Sequence, residues 1–172
     1  MKRLLFIYLL FTSVIYSKST LQKIGDILAI SLPLYAYSKS ISLNDKIGQK
    51  EFLYTYSATM LTTYFLKYTT KEKRPDSTSL DSFPSGHSAS AFSSAFFIHR
   101  RYGFKSAIIP YIGAVITGYS RVKSKRHYIQ DVIGGAIVSG VCAYYFTKPY
   151  KGVNIMPEFN GNSVGIKATY RY

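Results

Sequence analysis

The chain is poor in cysteine and in acid. Of its 172 residues only Cys142 carries a thiol, so no intrachain disulfide framework can form. A single cysteine also excludes any site needing two thiolate ligands, such as a zinc ribbon or a CxxC redox pair. Asp plus Glu number 8 against 22 Lys plus Arg, a formal charge of +14. That excess calls for an anionic partner. Nucleic acid, anionic lipid and a phosphorylated substrate all satisfy it. No uncharged run reaches the ~20 residues that span a bilayer comfortably. No internal repeat or low-complexity segment is present. What the chain does hold is apolar: 47% hydrophobic and 16% aromatic residues, with 17 Tyr. Such content excludes a disordered polycation, and the length fits one domain with a sizeable core.

The N-terminus has the layout of a secretory signal peptide. Met1-Lys2-Arg3 precedes the apolar stretch 4–15, and Ser17-Lys18-Ser19 follows. The alternative is an uncleaved first membrane helix. Both send the following chain outward across a membrane. The expected division is a leader over residues 1–18, a helical domain over 19–150 and a tail over 151–172.

Residues 27–38, 52–66, 85–98, 106–120 and 132–147 are nearly free of charge and show no strict alternation, so each reads as a helix. The fold class is all-α, a compact bundle of about five to six helices. The uncharged runs correspond to ~18–24 Å of helix, short of the ~30 Å hydrocarbon layer unless Lys and Arg extend the ends. Ser, Thr and Tyr dilute them, and mean hydropathy is only +0.03. The bundle is therefore expected to be membrane-embedded or membrane-associated, with a soluble bundle as the alternative. Small residues crowd two helices, around Gly86–Ala95 and Gly134–Gly140, and let backbones approach closely. Alternating crossings put 39–50, 100–101 and the tail on one side, and 71–84 and 121–126 on the other. Basic residues fall on both sides, so charge does not fix the orientation. The last residues alternate instead, with Val164, Ile166, Ala168, Tyr170 and Tyr172 on one face after Asn160-Gly161, the pattern of a β-hairpin.

Three clusters carry chemistry. Lys67 and Arg74-Pro75 form the first, Pro84-Ser85-Gly86-His87 the second, and Ser120-Arg121, His127 and Asp131 the third. Lys67 ends an apolar helix and Arg74 sits in the loop after it, where Pro75 is expected to stop the helix. Guanidinium and ammonium groups aimed at a phosphoryl group stabilise the charge that spreads over its oxygens. Arg74 and Arg121 can each grip two oxygens, whereas Lys67 acts as a point charge. Ser85 is a natural N-cap, Gly86 lets backbone approach a ligand, and the first-turn N–H groups favour an anion. His87 stands at that helix end, placed to donate a proton to a leaving oxygen. His99 lies ~18 Å further along the same helix, too far to share the site. His127 and Asp131 are four apart and share a helical face. A carboxylate on one imidazole nitrogen fixes the tautomer and leaves the other nitrogen as nucleophile. Each cluster alone also fits a plainer reading: a solvated helix end, a cap, a structural hydrogen bond.

In this order and spacing the three clusters resemble the type 2 phosphatidic acid phosphatase superfamily, which also holds bacterial class A acid phosphatases and vanadium haloperoxidases. The resemblance covers roughly residues 52–145 and looks most like compact bacterial members. It implies a phosphoric ester hydrolase in which His127 attacks phosphorus, Asp131 orients and charge-balances it, and His87 protonates the leaving alkoxide and then activates water. Lys67, Arg74, Ser85, Gly86 and Arg121 would hold the phosphoryl oxygens. No metal and no cofactor are implied, and phosphate or vanadate should bind as inhibitors. The expected substrate is a lipid phosphate or pyrophosphate, with the site facing the periplasm from a bacterial inner membrane. A soluble periplasmic acid phosphatase acting on small phosphoesters is the first alternative, haloperoxidase chemistry the second, and a basic non-enzymatic lipid-binding protein the third. Nucleic acid is not an expected partner of an exported chain. Lys123, Lys125 and Arg126 make the stretch before His127 unusually basic, read either as attraction for an anionic headgroup or as a solvated loop.

Overall fold

The computed structural model describes residues 20–150 together with the backbone of 153–160 and 163–170. The leader expected over residues 1–18 lies outside the described residues. Among the described residues there are five helices: α1 (Thr20–Ser42), α2 (Lys46–Thr70), α3 (Gly86–Tyr102), α4 (Phe104–Lys123) and α5 (Ile129–Phe146). Strands β1 (Val153–Asn160) and β2 (Ser163–Tyr170) pair antiparallel, Val153 opposite Tyr170 and Asn160 opposite Ser163.

The helices are longer than the uncharged runs. They hold 23, 25, 17, 20 and 18 residues, which is about 26–38 Å at 1.5 Å per residue. The extra turns carry Lys39, Lys46, Lys50, Lys67, Arg100, Arg101 and Lys123 at helix ends, where charge does not interrupt the backbone ladder. Pro75 does not stop α2. The helix ends at Thr70, where Lys71 turns left-handed (φ 48°, ψ 39°) and returns its N–H to the Lys67 carbonyl. Pro75 lies further on, inside the connecting loop.

Helix α3 is the axis. It packs against all four other helices, which close a ring around it in the order α2, α1, α4, α5. Its composition explains the position: Ser88, Ala89, Ser90, Ala91, Ser93, Ser94 and Ala95 are all buried. Serine hydroxyls close onto backbone carbonyls, Ser93 and Ser94 onto Ser90 and Ser139 of α5 onto Ala89, so these hydroxyls are satisfied within the tight approach. At Gly135 of α5 a methyl group would lie 2.8 Å from the Ser85 carbonyl oxygen and 3.0 Å from the Ala89 nitrogen. Only glycine allows that crossing, and the crossing joins the α3 start to the α5 start. On α2 a stripe of buried threonines, Thr55, Thr59 and Thr63, recurs every fourth residue and leads to Lys67 on the same face.

Large apolar side chains lie outside this core. Ile30 is 66% exposed, Leu61 71% and Ile109 76%, and Leu34, Phe65, Ile112, Ile133 and Ile137 are also exposed. Small and hydroxyl side chains thus dominate the interior, around a few large apolar ones such as Phe52, Phe97 and Ile98, while most of the bulky apolar side chains face outward. The chain reverses so that α1 begins, α2 ends, α3 begins, α4 ends and α5 begins at one end of the bundle, where contacts such as Arg121 to Gln22 and Ser85 to Asp131 join them. Both histidine-bearing loops therefore lie at one end.

Candidate active site

At that end a cavity of about 290 Å³ opens between helices. Its polar lining is Lys67, Arg74, Asp81, Gly86, His87, Ser90 and His127, and its more apolar wall is Ala29 and Ile30 of α1 with Tyr56, Met60 and Tyr64 of α2. The two histidines, more than one helix apart in sequence, share this space.

His127 is held rigidly. Its Nδ1 donates to Asp131 Oδ2 at 3.2 Å. A carboxylate can only accept, so Nδ1 carries the proton and Nε2 bears the free lone pair. The same Oδ2 accepts from the Ser82 hydroxyl at 2.5 Å and from the Tyr128 N–H at 2.9 Å, which also caps the first turn of α5. Asp131 is fully buried, and its Oδ1 has no hydrogen-bond partner. Burial, reinforced by the nearby Lys67 and Arg74 charges, pushes the His127 imidazole down to about 4, against the opposing pull of Asp131. The field at this ring is that of a cationic pocket, and the ring is neutral at ordinary pH.

The cations come from separate elements. Lys67 reaches off the last turn of α2 and donates to the carbonyls of Asp81 (2.5 Å) and Ser82 (3.2 Å). Arg74 comes from the loop 71–84 and meets Asp81 through two atoms, Nε and Nη2 each 2.9 Å from a carboxylate oxygen. Burial works to raise the Asp81 carboxyl, but the Ser79 hydroxyl and the Arg74 charge hold it below the usual range. Arg121, at the end of α4, is buried behind the lining rather than in it. It donates to Asp26 Oδ1 at 2.6 Å, to the Gln22 carbonyl at 2.7 Å and to Ser120 Oγ at 3.0 Å. Asp26 Oδ1 also lies 3.1 Å from His87 Nε2.

Most of the residues anticipated from sequence therefore meet. Lys67, Arg74, Gly86, His87 and His127 line one cavity, Asp131 stands behind His127, and Arg121 reaches His87 through Asp26. Ser85 is buried off the lining. Its hydroxyl accepts from the Ser88 N–H and pairs with Ser88 Oγ at 3.0 Å, while its own N–H donates to the Asp131 carbonyl at 2.9 Å. It caps α3 and ties the α3 start to α5. His99 sits at the far end of α3, 2.9 Å from the Tyr111 hydroxyl. Of the basic stretch before His127, Arg126 pairs with Asp76 at 2.9 Å while Lys123 and Lys125 are exposed. Three participants were not anticipated: Asp26, Asp81 and Ser82. A lone acid in an otherwise apolar helix was the available signal for Asp26.

Comparison with known proteins points to the family that the motif spacing resembles. Residues 50–153 match the PAP2 superfamily model. A lipid A 4'-phosphatase of Helicobacter pylori is 32% identical over 170 residues, covering 88% of this chain and 85% of that protein. A lipid A 1-phosphatase of Porphyromonas gingivalis is 43% identical over 75 residues, covering 42% of this chain and 17% of that protein. The crystal structure of Aquifex aeolicus LpxE superposes with a TM-score of 0.62 at 21% identity, over 79% of this chain and 91% of that one, a likeness of fold. The chain belongs to the PAP2 superfamily and is a phosphoric ester hydrolase of that type.

Proposed function

We propose that this chain is a membrane-embedded lipid phosphatase that hydrolyses a phosphomonoester of a lipid A-like phosphoglycolipid through a phosphohistidine at His127. The observation that carries the reading is the shared cavity: a neutral, carboxylate-oriented imidazole lines the same space as a polar floor of Lys67 and Arg74, and much of the remaining wall is apolar. The floor suits a phosphate and the wall suits the body of an amphiphile. The near full-length similarity to the Helicobacter pylori protein favours the 4'-phosphate of such a glycolipid.

In the first step His127 Nε2 forms a bond to phosphorus as the bond from phosphorus to the leaving oxygen breaks. His87 gives its proton to that oxygen, and Asp131 balances the charge on the His127 ring. In the second step His87 takes a proton from water, the oxygen attacks phosphorus, and the nitrogen–phosphorus bond breaks to release phosphate. Lys67, Arg74 and Arg121 supply the positive charge throughout, so every step runs on side chains of this chain. Inorganic phosphate and vanadate should compete for the same floor.

The exposed Ile, Leu and Phe side chains around a core of Ala, Ser and Thr support residence in a bilayer. Helix α5 is itself long and apolar enough to cross one. Thr20 opens α1 at the cavity end, so a preceding segment that crosses outward delivers the cavity to the periplasmic side. An impermeant maleimide should then label Lys125→Cys, and not Lys105→Cys, in intact cells; the reverse pattern contradicts that orientation.

The direct test is phosphate release from lipid A by the purified protein in detergent, beside phosphatidic acid, phosphatidylglycerol phosphate and undecaprenyl pyrophosphate. Lipid A is expected to be turned over fastest, and His127→Ala to lose turnover on all four. Release at the wild-type rate by His127→Ala would overturn the mechanism; a small soluble ester preferred over every lipid would overturn the substrate class.

A further inference from the structure

We infer that Asp26 is a positioning residue for leaving-group protonation, forming with His87 a second carboxylate–imidazole pair opposite His127–Asp131. The assignment rests on His87 acting as the proton donor. Asp26 stands on α1, a helix that carries none of the sequence motifs, and its Oδ1 lies 3.1 Å from His87 Nε2 and 2.6 Å from Arg121 Nη1. One oxygen thus joins two groups from α3 and α4. The close passage of α1 over α4 that places it there depends on Gly25: a methyl at that position would meet Ser120 Oγ and lie 2.7 Å from Arg121 Nη2.

The need for such a group follows from the cavity. Lys67 and Arg74 line the same space as His87, and two cations beside an imidazole favour its neutral form. The imidazolium is the effective acid towards a leaving alkoxide, and the neutral ring a far weaker one. A carboxylate in contact with the ring restores the charged form and fixes its orientation. Asp26 fills this role for His87, and Arg121 anchors Asp26 in turn. When the bond to the leaving oxygen breaks, the proton passes from His87 Nδ1 to that oxygen, the Nε2 proton stays on the Asp26 contact, and Asp26 remains ionised. The same device thus works in two different environments. His127 is kept neutral because its carboxylate is outweighed by burial and cations. His87, 43% exposed at its side chain, is less desolvated.

The test compares leaving groups. Two substrates carry the same alkyl chain. One is an alkyl phosphate, whose leaving alkoxide needs a proton; the other is a nitrophenyl phosphate, whose phenolate does not. For Asp26→Asn, kcat/KM should fall about 10²-fold on the alkyl ester and only a few-fold on the nitrophenyl ester. Asp26→Glu should recover part of the alkyl activity. In a His87→Ala background Asp26→Asn should add almost nothing on the alkyl ester. An equal loss on both esters, or a gain on both, overturns the assignment: the first makes Asp26 a support for Arg121 alone, the second a competitor of phosphate. If His87→Ala itself shows no leaving-group dependence, the role of His87 fails. If His87→Ala shows it and Asp26→Asn does not, the role of Asp26 alone fails. Thermal unfolding and vanadate affinity of each variant separate these outcomes from misfolding.

Discussion

The two ends of the bundle use the same Arg–carboxylate chemistry to opposite purposes. At the end away from the cavity, Arg101 is buried and every face of its guanidinium is engaged. It meets Asp45 through two nitrogens, at 2.7 and 2.5 Å, and Glu51 and the Lys148 carbonyl through a third, at 3.1 and 2.9 Å. Asp45 in turn accepts from the Tyr102 hydroxyl and the Gly48 N–H. Each of the three guanidinium nitrogens already has an acceptor within the protein. At the cavity end Lys67 is met by carbonyl oxygens rather than directly by a carboxylate, and Arg74 by one carboxylate at the rim. The closed network clamps the α1–α2 turn to the ends of α3 and α5; the open one lines the cavity that His87 and His127 share. Whether an arginine serves folding or binding is decided by what surrounds it, not by its type.

Breaking the closed network gives the largest expected effect. Arg101→Ala leaves Asp45 buried without its partner and should lower stability by ~3–5 kcal/mol, with kcat/KM per folded molecule unchanged. Denaturant melts beside active-site-normalised kinetics measure both. At the open end the pattern inverts: Arg74→Ala should lower kcat/KM by ~10²–10³-fold with little change in melting temperature. A matching loss of stability at both ends would erase the distinction.

pH sharpens it further. His127 is held near 4 in the folded protein against an ordinary value of 6.5. Its folded form resists protonation, so the unfolded chain binds the proton first. Stability should fall as pH drops from 6.5 towards 4 and level off below, and it should not change above 6.5 on account of this group. His127→Gln should flatten that dependence. For the same reason the acid limb of kcat/KM should lie near pH 4 rather than 6.5. The smallest expected effect concerns the basic stretch. Arg126 is already tied to Asp76, so neutralising Lys123, Lys125 and Arg126 together should raise KM for a lipid phosphate by only a few-fold, and less for a small soluble ester. Equal changes on both substrates count against a headgroup contact.

The fold and site were legible to different depths. Uncharged runs revealed the helices, and the crowding of small residues around Ser88–Ala95 marked the helix that becomes the axis. Their lengths were underestimated because charged side chains at helix ends extend the helix without breaking its ladder. That Lys67, Arg74, His87 and His127 gather in one place with Asp131 behind them was legible because each motif is local. Ser85 carried two readings, cap and phosphate ligand, and its hydroxyl is turned to the Ser88 turn. Asp26 was not legible: its partners His87 and Arg121 come from other helices, and only the packing of α1 across α4 brings them together. Nor was Arg101 with Asp45, whose pairing spans 56 positions of sequence. Long-range pairs of single charges leave no periodic signature.

Rapid quenching in base after mixing the enzyme with radiolabelled lipid phosphate, followed by peptide mapping, tests His127 as the phosphorylated nucleophile most directly. The label should appear on His127, survive base, be lost in acid, and be absent from His127→Ala. Label on any other residue, or full turnover with no labelled enzyme in the wild type at any quench time, would contradict it.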